Sequence, residues 1–235
     1  MTKVIIVRDV TDYHVDEAFR VLRTNLQFCG EDKKVIAITS SIPGEGKSSV
    51  SLRLAISLAE VGKKVIFIDA DLRKSVLSQK VNCGERGIGL SHYLSGQKSL
   101  PRIVCETNIQ NLYLIMAGQV PPNPAELLNE PSFSKMVEVL RQIYDYIIFD
   151  TPPLGSVIDS AIIAEKCDGA IVVIESGKVS GRFMEENITQ LEKSGCPILG
   201  AVLNKMKRNQ KGRYGKYYGR YGKKYSKYGD EYVGR

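Results

Sequence analysis

The sequence predicts a doubly wound α/β domain with a mostly parallel sheet. Short runs rich in β-branched residues recur at 34–39 (KVIAIT), 64–69 (KVIFID), 112–117, 146–150, 170–175 and 198–203. They are continuously apolar rather than alternating, the pattern of strands covered on both faces. Segments of helical period lie between many of them, at 47–61, 131–143, 157–166 and 182–194. Such alternation of strand and helix is the signature of a parallel, doubly wound sheet.

The elements before and after this core read differently. Ahead of the first strong strand, VDEAFRVLRTNLQF (15–28) is an amphipathic helix with Val15, Phe19, Leu22 and Leu26 as its apolar stripe. The opening MTKVIIVRDV is too short in its apolar run for a signal peptide, and no run is long enough to span a bilayer. A membrane role must therefore come through a partner or the surface. The domain boundary is placed near Asn204, giving a domain at 1–204 and a tail at 205–235. The tail repeats Gly, Lys, Arg and Tyr, cannot bury enough surface to offset ordering entropy, and is expected to be disordered.

Composition sets further bounds. The 235 residues are 43% hydrophobic, enough for one sizeable domain. The net charge of +7 is unevenly placed: residues 205–235 hold 11 Lys/Arg and 2 Asp/Glu, or +9, leaving 22 basic and 24 acidic residues, or −2, for the rest. The body is near neutral, so a basic whole-protein surface is excluded. The five cysteines (Cys29, Cys83, Cys105, Cys167, Cys196) are scattered without a C-x-x-C pair. That argues against a disulfide framework or structural zinc and fits a reducing cytosol.

The strongest chemical signal is TSSIPGEGKSSV (39–50), placed after a predicted strand and at the start of a predicted helix. There, backbone N–H groups and a helix N-terminus can cradle phosphates, with Lys47 reaching the β/γ oxygens and the Ser48 hydroxyl available to Mg²⁺. Gly44, Glu45, Gly46, Lys47, Ser48 and Ser49 are the candidate ATP-binding residues. The pattern G-x-x-x-x-G-K-[ST] is met except at its first position, Ser41. The dinucleotide fingerprint G-x-G-x-x-G fails, because Ser49 stands at its third glycine. Two strands carry acids at their carboxyl ends: YDYIIFDTPP ends in Asp150, and KVIFIDADLRKS in Asp69, Asp71 and Arg73. A lone terminal Asp could simply cap the next element. Three acids on two strands beside a phosphate loop point to metal–nucleotide chemistry at the sheet's carboxyl edge.

In this arrangement the sequence resembles the bacterial tyrosine kinases, a family within the deviant P-loop NTPases that also include cell-division and partition ATPases. IDADLR (68–73) is similar to that family's Walker A′ motif, PGEGKSS (43–49) to its P-loop, FDTPP (149–153) to its Walker B end, and GQVPPNPAELL (118–128) to its loop before the next helix. EAFRVLR (17–23) matches its E-x-x-R-x-x-R oligomerisation motif, carried here by Glu17, Arg20 and Arg23. The partition-type ATPases have a second lysine five residues before the P-loop lysine; Ile42 stands there. Ser75 stands where the family usually has Pro and is expected to loosen the turn after Asp71. Taken as residues alone, Glu17, Arg20 and Arg23 share one helix face within about 120° and could equally be a solvated face. PPNPAELL alone would be a turn and helix start, with Pro124 in the first turn.

The resemblance implies a protein-tyrosine autokinase of the cytoplasmic split form. Its kinase chain, in a ring-like homo-oligomer with an octamer as one size open to it, is activated by a transmembrane partner at the inner face of the membrane and controls capsule or exopolysaccharide synthesis and export. The cofactors implied are ATP and Mg²⁺. Catalytic roles fall to Lys47, Asp69, Asp71 and Asp150: Lys47 neutralises charge on the transferred group, Ser48, Asp71 and Asp150 hold the metal, and Asp69 orients and deprotonates tyrosine. The acceptors are Tyr214, Tyr217, Tyr218, Tyr221, Tyr225, Tyr228 and Tyr232, seven of the chain's twelve tyrosines. A glycine-rich coil of the tail's length spans roughly 30 Å r.m.s., enough to reach a neighbouring subunit. Each phosphate adds about −1.5 to −2 charges, so about five or six neutralise the tail and seven reverse its sign. Such a switch is expected to weaken assembly. Rival readings are a partition or cell-division type ATPase with its tail on nucleic acid or anionic lipid, and a non-catalytic scaffold. The all-Tyr aromatic content of the tail speaks against nucleic-acid stacking, and Ile42 against the cell-division type.

Overall fold

The computed structural model describes residues 2–7, 12–77, 81–83 and 87–206. The chain divides after Asn204 into two units, Met1–Asn204 and Lys205–Arg235. The seven expected acceptor tyrosines lie outside the described residues.

The strands are β1 (Thr2–Ile6), β2 (Val35–Ser40), β3 (Val65–Asp69), β4 (Val81–Cys83), β5 (Val104–Thr107), β6 (Leu112–Ile115), β7 (Tyr146–Asp150), β8 (Gly169–Glu175) and β9 (Ile198–Asn204). They form one sheet in the order β4-β1-β5-β6-β3-β7-β2-β8-β9. From β6 to β9 every neighbouring pair is parallel. The β5–β6 and β1–β4 pairs are antiparallel. All six strands expected from the sequence are present in the parallel part. The β1, β4 and β5 strands extend the sheet beyond that expectation. The first of them alternates, with Val4 and Ile6 buried and Ile5 57% exposed, so its period marks a half-covered edge region rather than a buried core strand.

The helices are α1 (Tyr13–Phe28), α2 (Lys47–Glu60), α3 (Leu90–Leu94), α4 (Leu100–Ile103), α5 (Pro124–Asn129), α6 (Pro131–Arg141), α7 (Asp159–Ala164) and α8 (Gly181–Glu192). Pro131 and Pro124 each stand in a first helical turn, where a missing N–H leaves no bond unmade. Successive residues of the central strands feed opposite layers. Ile36, Ile38, Val65, Phe67 and Ile148 pack with Leu54 and Leu58 of α2 and Leu26 of α1. Ile66, Ile68, Ile147 and Phe149 pack with Leu128, Phe133, Met136 and Leu140 on the other face. This is the two-residue period of a strand read from both sides. Each fully buried Phe or Ile contributes about 1.5–3 kcal/mol. Of the stripe expected on α1, Leu26 is buried, and Phe19 and Leu22 pack against the core. Val15 is instead 37% exposed, in a first stretch of α1, residues 13–18, that is exposed throughout. No helix among the described residues is long and apolar enough to cross a membrane.

Candidate nucleotide and phosphoryl-transfer site

The site lies at the carboxyl ends of β2, β7 and β3, three neighbours at the middle of the sheet. The chain leaves β2 at Ser40 and turns through Gly44 (φ +84°) and Gly46 (φ +91°) into α2. Both glycines occupy the left-handed region that other residues rarely adopt. Gly46 is the N-cap of α2, and among the described residues no side chain caps the helix. A glycine there keeps the positive end of the helix open to an anion. Ser41, which replaces the first glycine of the pattern, is fully buried, and its carbonyl accepts from Gly155 N at 3.1 Å.

Lys47 is the centre of the charge arrangement. Its Nζ lies 3.4 Å from Asp150 Oδ1 and 3.7 Å from Asp71 Oδ2, and 3.3 Å from Ser48 Oγ. Asp69 and Asp150 are register partners on β3 and β7. Burial, reinforced by the Asp150 charge, pushes the Asp69 carboxyl up to about 7. Burial also holds the Asp150 carboxyl above the usual range, opposed by the Lys47 ammonium. The segment after β3 wraps on itself. Asp69 Oδ1 accepts from Asp71 N at 3.2 Å, and Asp71 Oδ1 accepts from Arg73 N at 3.3 Å and Lys74 N at 2.9 Å. The Ser75 hydroxyl donates to Asp69 Oδ2. Ser75 therefore does not loosen this turn: its hydroxyl ties the end of the segment back to Asp69, a bond that Pro could not make.

The structure brings Lys47, Ser48, Asp69, Asp71 and Asp150 together, and it turns Glu45 elsewhere. The Glu45 side chain is fully buried and points into the protein, accepting from Ile42 N at 2.9 Å and Glu175 N at 3.0 Å. Asn204 Nδ2 donates to the Glu45 carbonyl at 2.8 Å. Glu45 thus braces the loop against the ends of β8 and β9. Of the α1 triplet, Glu17 and Arg20 form an exposed ion pair at 3.1 Å. Arg23 instead docks on α2, its Nη1 donating to Ser57 O at 2.8 Å and Ser57 Oγ at 3.0 Å. The sequence reading passed over Asp159, Lys178 and Asn204. Asp159 showed only as an acid in the first turn of an expected helix, a common dipole partner; the other two gave no local signal.

The donor set fits a magnesium nucleotide. It offers hard oxygens from Ser48, Asp71 and Asp150, a lysine between them, and a loop with glycines at 44 and 46. Among the described residues no three His, Cys, Asp or Glu side chains converge as a metal site by themselves. Mg²⁺ asks for less, since it keeps waters and binds through one or two carboxylates plus phosphate oxygens.

A glycine loop between strand and helix, with acids at the tips of two neighbouring strands, defines a P-loop NTPase fold. The AAA domain family model matches residues 33–194. The tyrosine-protein kinase CpsD of Streptococcus agalactiae is 46% identical over 204 residues, 86% of this chain and 89% of the relative. The kinase domain of Escherichia coli tyrosine kinase ETK superposes with a TM-score of 0.79 at 33% identity, covering 85% of this chain and 78% of that one. The septum site-determining protein MinD of Pyrococcus horikoshii, complexed with Mg-ADP, gives a TM-score of 0.61 at 25% identity over 77% of this chain and 72% of that one. The chain belongs to the bacterial tyrosine kinases of the capsule family.

Proposed function

We propose that this kinase transfers the γ-phosphoryl group of ATP to tyrosines of its own C-terminal segment, Tyr214 to Tyr232, in trans within a homo-oligomer. One observation carries the reading. Asp69, with a carboxyl that titrates near neutrality, is buried within a cluster that also holds Lys47, Asp71 and Asp150. A free phenol titrates near 10, so its proton needs an acceptor near neutral pH, and Asp69 is the buried carboxylate of this cluster placed to take it. The phenol oxygen forms the new bond to the γ-phosphorus, its proton passes to Asp69, and the bond to the β,γ-bridging oxygen breaks to release ADP. Asp69 has capacity for this beside its bonds to Asp71 N and Ser75, because each carboxylate oxygen has two lone pairs. Lys47, now shared between two carboxylates, exchanges them for phosphate oxygens. The open start of α2 and the glycine loop orient the phosphates. Magnesium held by Ser48, Asp71 and Asp150, partly through water, supplies charge neutralisation when bound.

The kinase acts in the cytoplasm at the inner face of the membrane, reached through a transmembrane activator, and its phosphorylation state regulates capsule or exopolysaccharide synthesis and export. Glu17 and Arg20 lie on the exposed subunit-contact face, braced by Arg23. The test is incubation with ATP and Mg²⁺, with and without a cytoplasmic peptide of the candidate activator, followed by mass mapping. Phosphotyrosine on residues 214–232 that is absent in Lys47→Met is expected. No phosphate there under either condition would overturn the reading.

A further inference from the structure

The loop between β8 and α8 places a second ammonium at the phosphate loop. A Cβ built on Gly44 would lie 3.8 Å from Lys178 Nζ. The position is held from several sides. Lys178 Nζ donates to Glu175 Oε2 at 3.0 Å, and Lys178 N donates to Glu175 O at 3.2 Å. Glu175 N in turn donates to the buried Glu45 carboxylate of the phosphate loop at 3.0 Å. Ser176 N donates to Asn204 O at 3.0 Å, and Asn204 returns a bond to the Glu45 carbonyl. Gly177, at φ +74°, makes the reversal that brings Lys178 back over the loop. On the far side Ser180 caps α8 by accepting from Phe183 N at 3.3 Å. Lys178 is therefore no loose surface lysine. It stands on a short turn braced at both ends, and that turn is bonded to the phosphate loop itself.

The electrostatics give this position a use. Within the loop from Ser41 to Ser48, Lys47 is the sole cation. In this structure Lys47 is engaged with Asp71 and Asp150, and Asp69 lies in the same buried cluster. A triphosphate entering beside these carboxylates meets more negative charge than one lysine can neutralise. Position 42, five residues before Lys47, is an isoleucine and adds none. The side chain of Lys178 is 42% exposed, so its ammonium can turn from Glu175 to an incoming anion without breaking the core.

We propose that Lys178 is a binding residue for the polyphosphate of the nucleotide, a second lysine delivered over Gly44 from outside the P-loop motif. The proposal rests on the nucleotide reading of the site. It distinguishes nucleotides by phosphate number: ATP and ADP reach the Gly44 end of the cradle, and AMP gains little from it.

The experiment is the affinity of the full chain for ATP, ADP and AMP with Mg²⁺, measured by calorimetry for the wild type, Lys178→Ala, Lys178→Arg and Lys47→Met. Lys178→Ala is expected to weaken ATP and ADP about tenfold, the scale of one charge-assisted hydrogen bond at a half-exposed site. AMP should change less than twofold, and Lys178→Arg should recover most of the loss. The salt dependence of ATP binding should fall in Lys178→Ala, since one cation has been removed. Unchanged ATP affinity in Lys178→Ala, with binding abolished in Lys47→Met, overturns this proposal and leaves the nucleotide site standing. A wild-type chain that binds no ATP overturns both.

Discussion

Arg73 grips Asp159 with two hydrogen bonds, Nε to Oδ2 at 2.8 Å and Nη2 to Oδ1 at 3.0 Å, and Asp159 has no exposed surface. The pair joins the segment carrying Asp71 to the first turn of α7, which follows the segment carrying Asp150. It therefore fixes the two acidic strand tips relative to each other. Arg73→Ala leaves a buried carboxylate without its partner and is expected to destabilise the fold by about 3 kcal/mol, the low end for a broken buried pair because the arginine is partly exposed. Arg73→Lys keeps the charge but loses the fork and should recover only part. Urea unfolding of the two variants checks the stability. A positioning role predicts that kcat falls further than KM rises, read from steady-state kinetics on the folded fraction.

Glu45 is an acid in a phosphate loop that does not face the phosphates. Its two oxygens each take a backbone N–H, from Ile42 and Glu175. Glu45→Gln replaces one acceptor by an amide donor that opposes one of those N–H groups. The expected loss is about 1–3 kcal/mol, or a Tm lower by roughly 3–10 °C for a chain of this size. Nucleotide affinity should fall with it, because the brace shapes the loop. Thermal unfolding with and without Mg-ATP measures both effects.

These two cases mark where the sequence stops being readable. The central strands were legible because VIAITS, VIFID and YIIFD are continuously apolar, and a strand buried on both faces has no other way to look. The loop and the three acids were legible because their chemistry is local to a strand end. The β1 and β5 strands were not, since one alternates and the other, VCET, is short. Long-range partners leave no trace in local pattern. Arg73 and Asp159 are 86 residues apart, and Glu45 and Glu175 are 130 apart. Only the crossing of the chain at the sheet's middle brings them together. Arg23 shows the same limit from the other side. Its spacing from Arg20 suggests a shared role, yet three residues around the helix is enough to turn it from solvent to α2.

Asp69 links the site to pH. Its folded carboxyl titrates at about 7, raised first by burial and then by Asp150, against about 3.9 for an unfolded aspartate. The folded protein therefore holds a proton that the unfolded chain has released. This contribution to stability is fully present below about pH 4 and is lost as pH rises through about 7. In nucleotide-free protein treated with chelator, stability should fall across that window in the wild type, and Asp69→Asn should lack the fall. Denaturant midpoints at pH 5, 6, 7 and 8 decide it; parallel curves for the two proteins would exclude the assignment. In kinetics the sign is opposite. As the proposed base, Asp69 must be deprotonated, so kcat/KM should rise with pH on the acid side.

The α1 triplet separates into two functions that mutation can resolve. Arg23 makes two bonds to Ser57 within its own chain, whereas the Glu17–Arg20 pair beside it is exposed. Arg23→Ala is expected to destabilise the monomer fold by about 1–2 kcal/mol, the scale of the hydrogen bonds it removes from a charged donor. The exposed pair contributes at most a few tenths of a kcal/mol to its own helix. Charge reversal of both, Glu17→Arg with Arg20→Glu, should therefore leave Tm within about 1 °C of the wild type. If this face carries the subunit contact, the same double variant restores the internal pair but presents each charge at the wrong place to a neighbour. Its mass in solution by light scattering should drop to that of smaller species, while Arg23→Ala lowers Tm first and mass only as the helix loosens. A double variant of unchanged mass would move the contact off this face, and an Arg23→Ala protein of unchanged Tm would return Arg23 to the surface set.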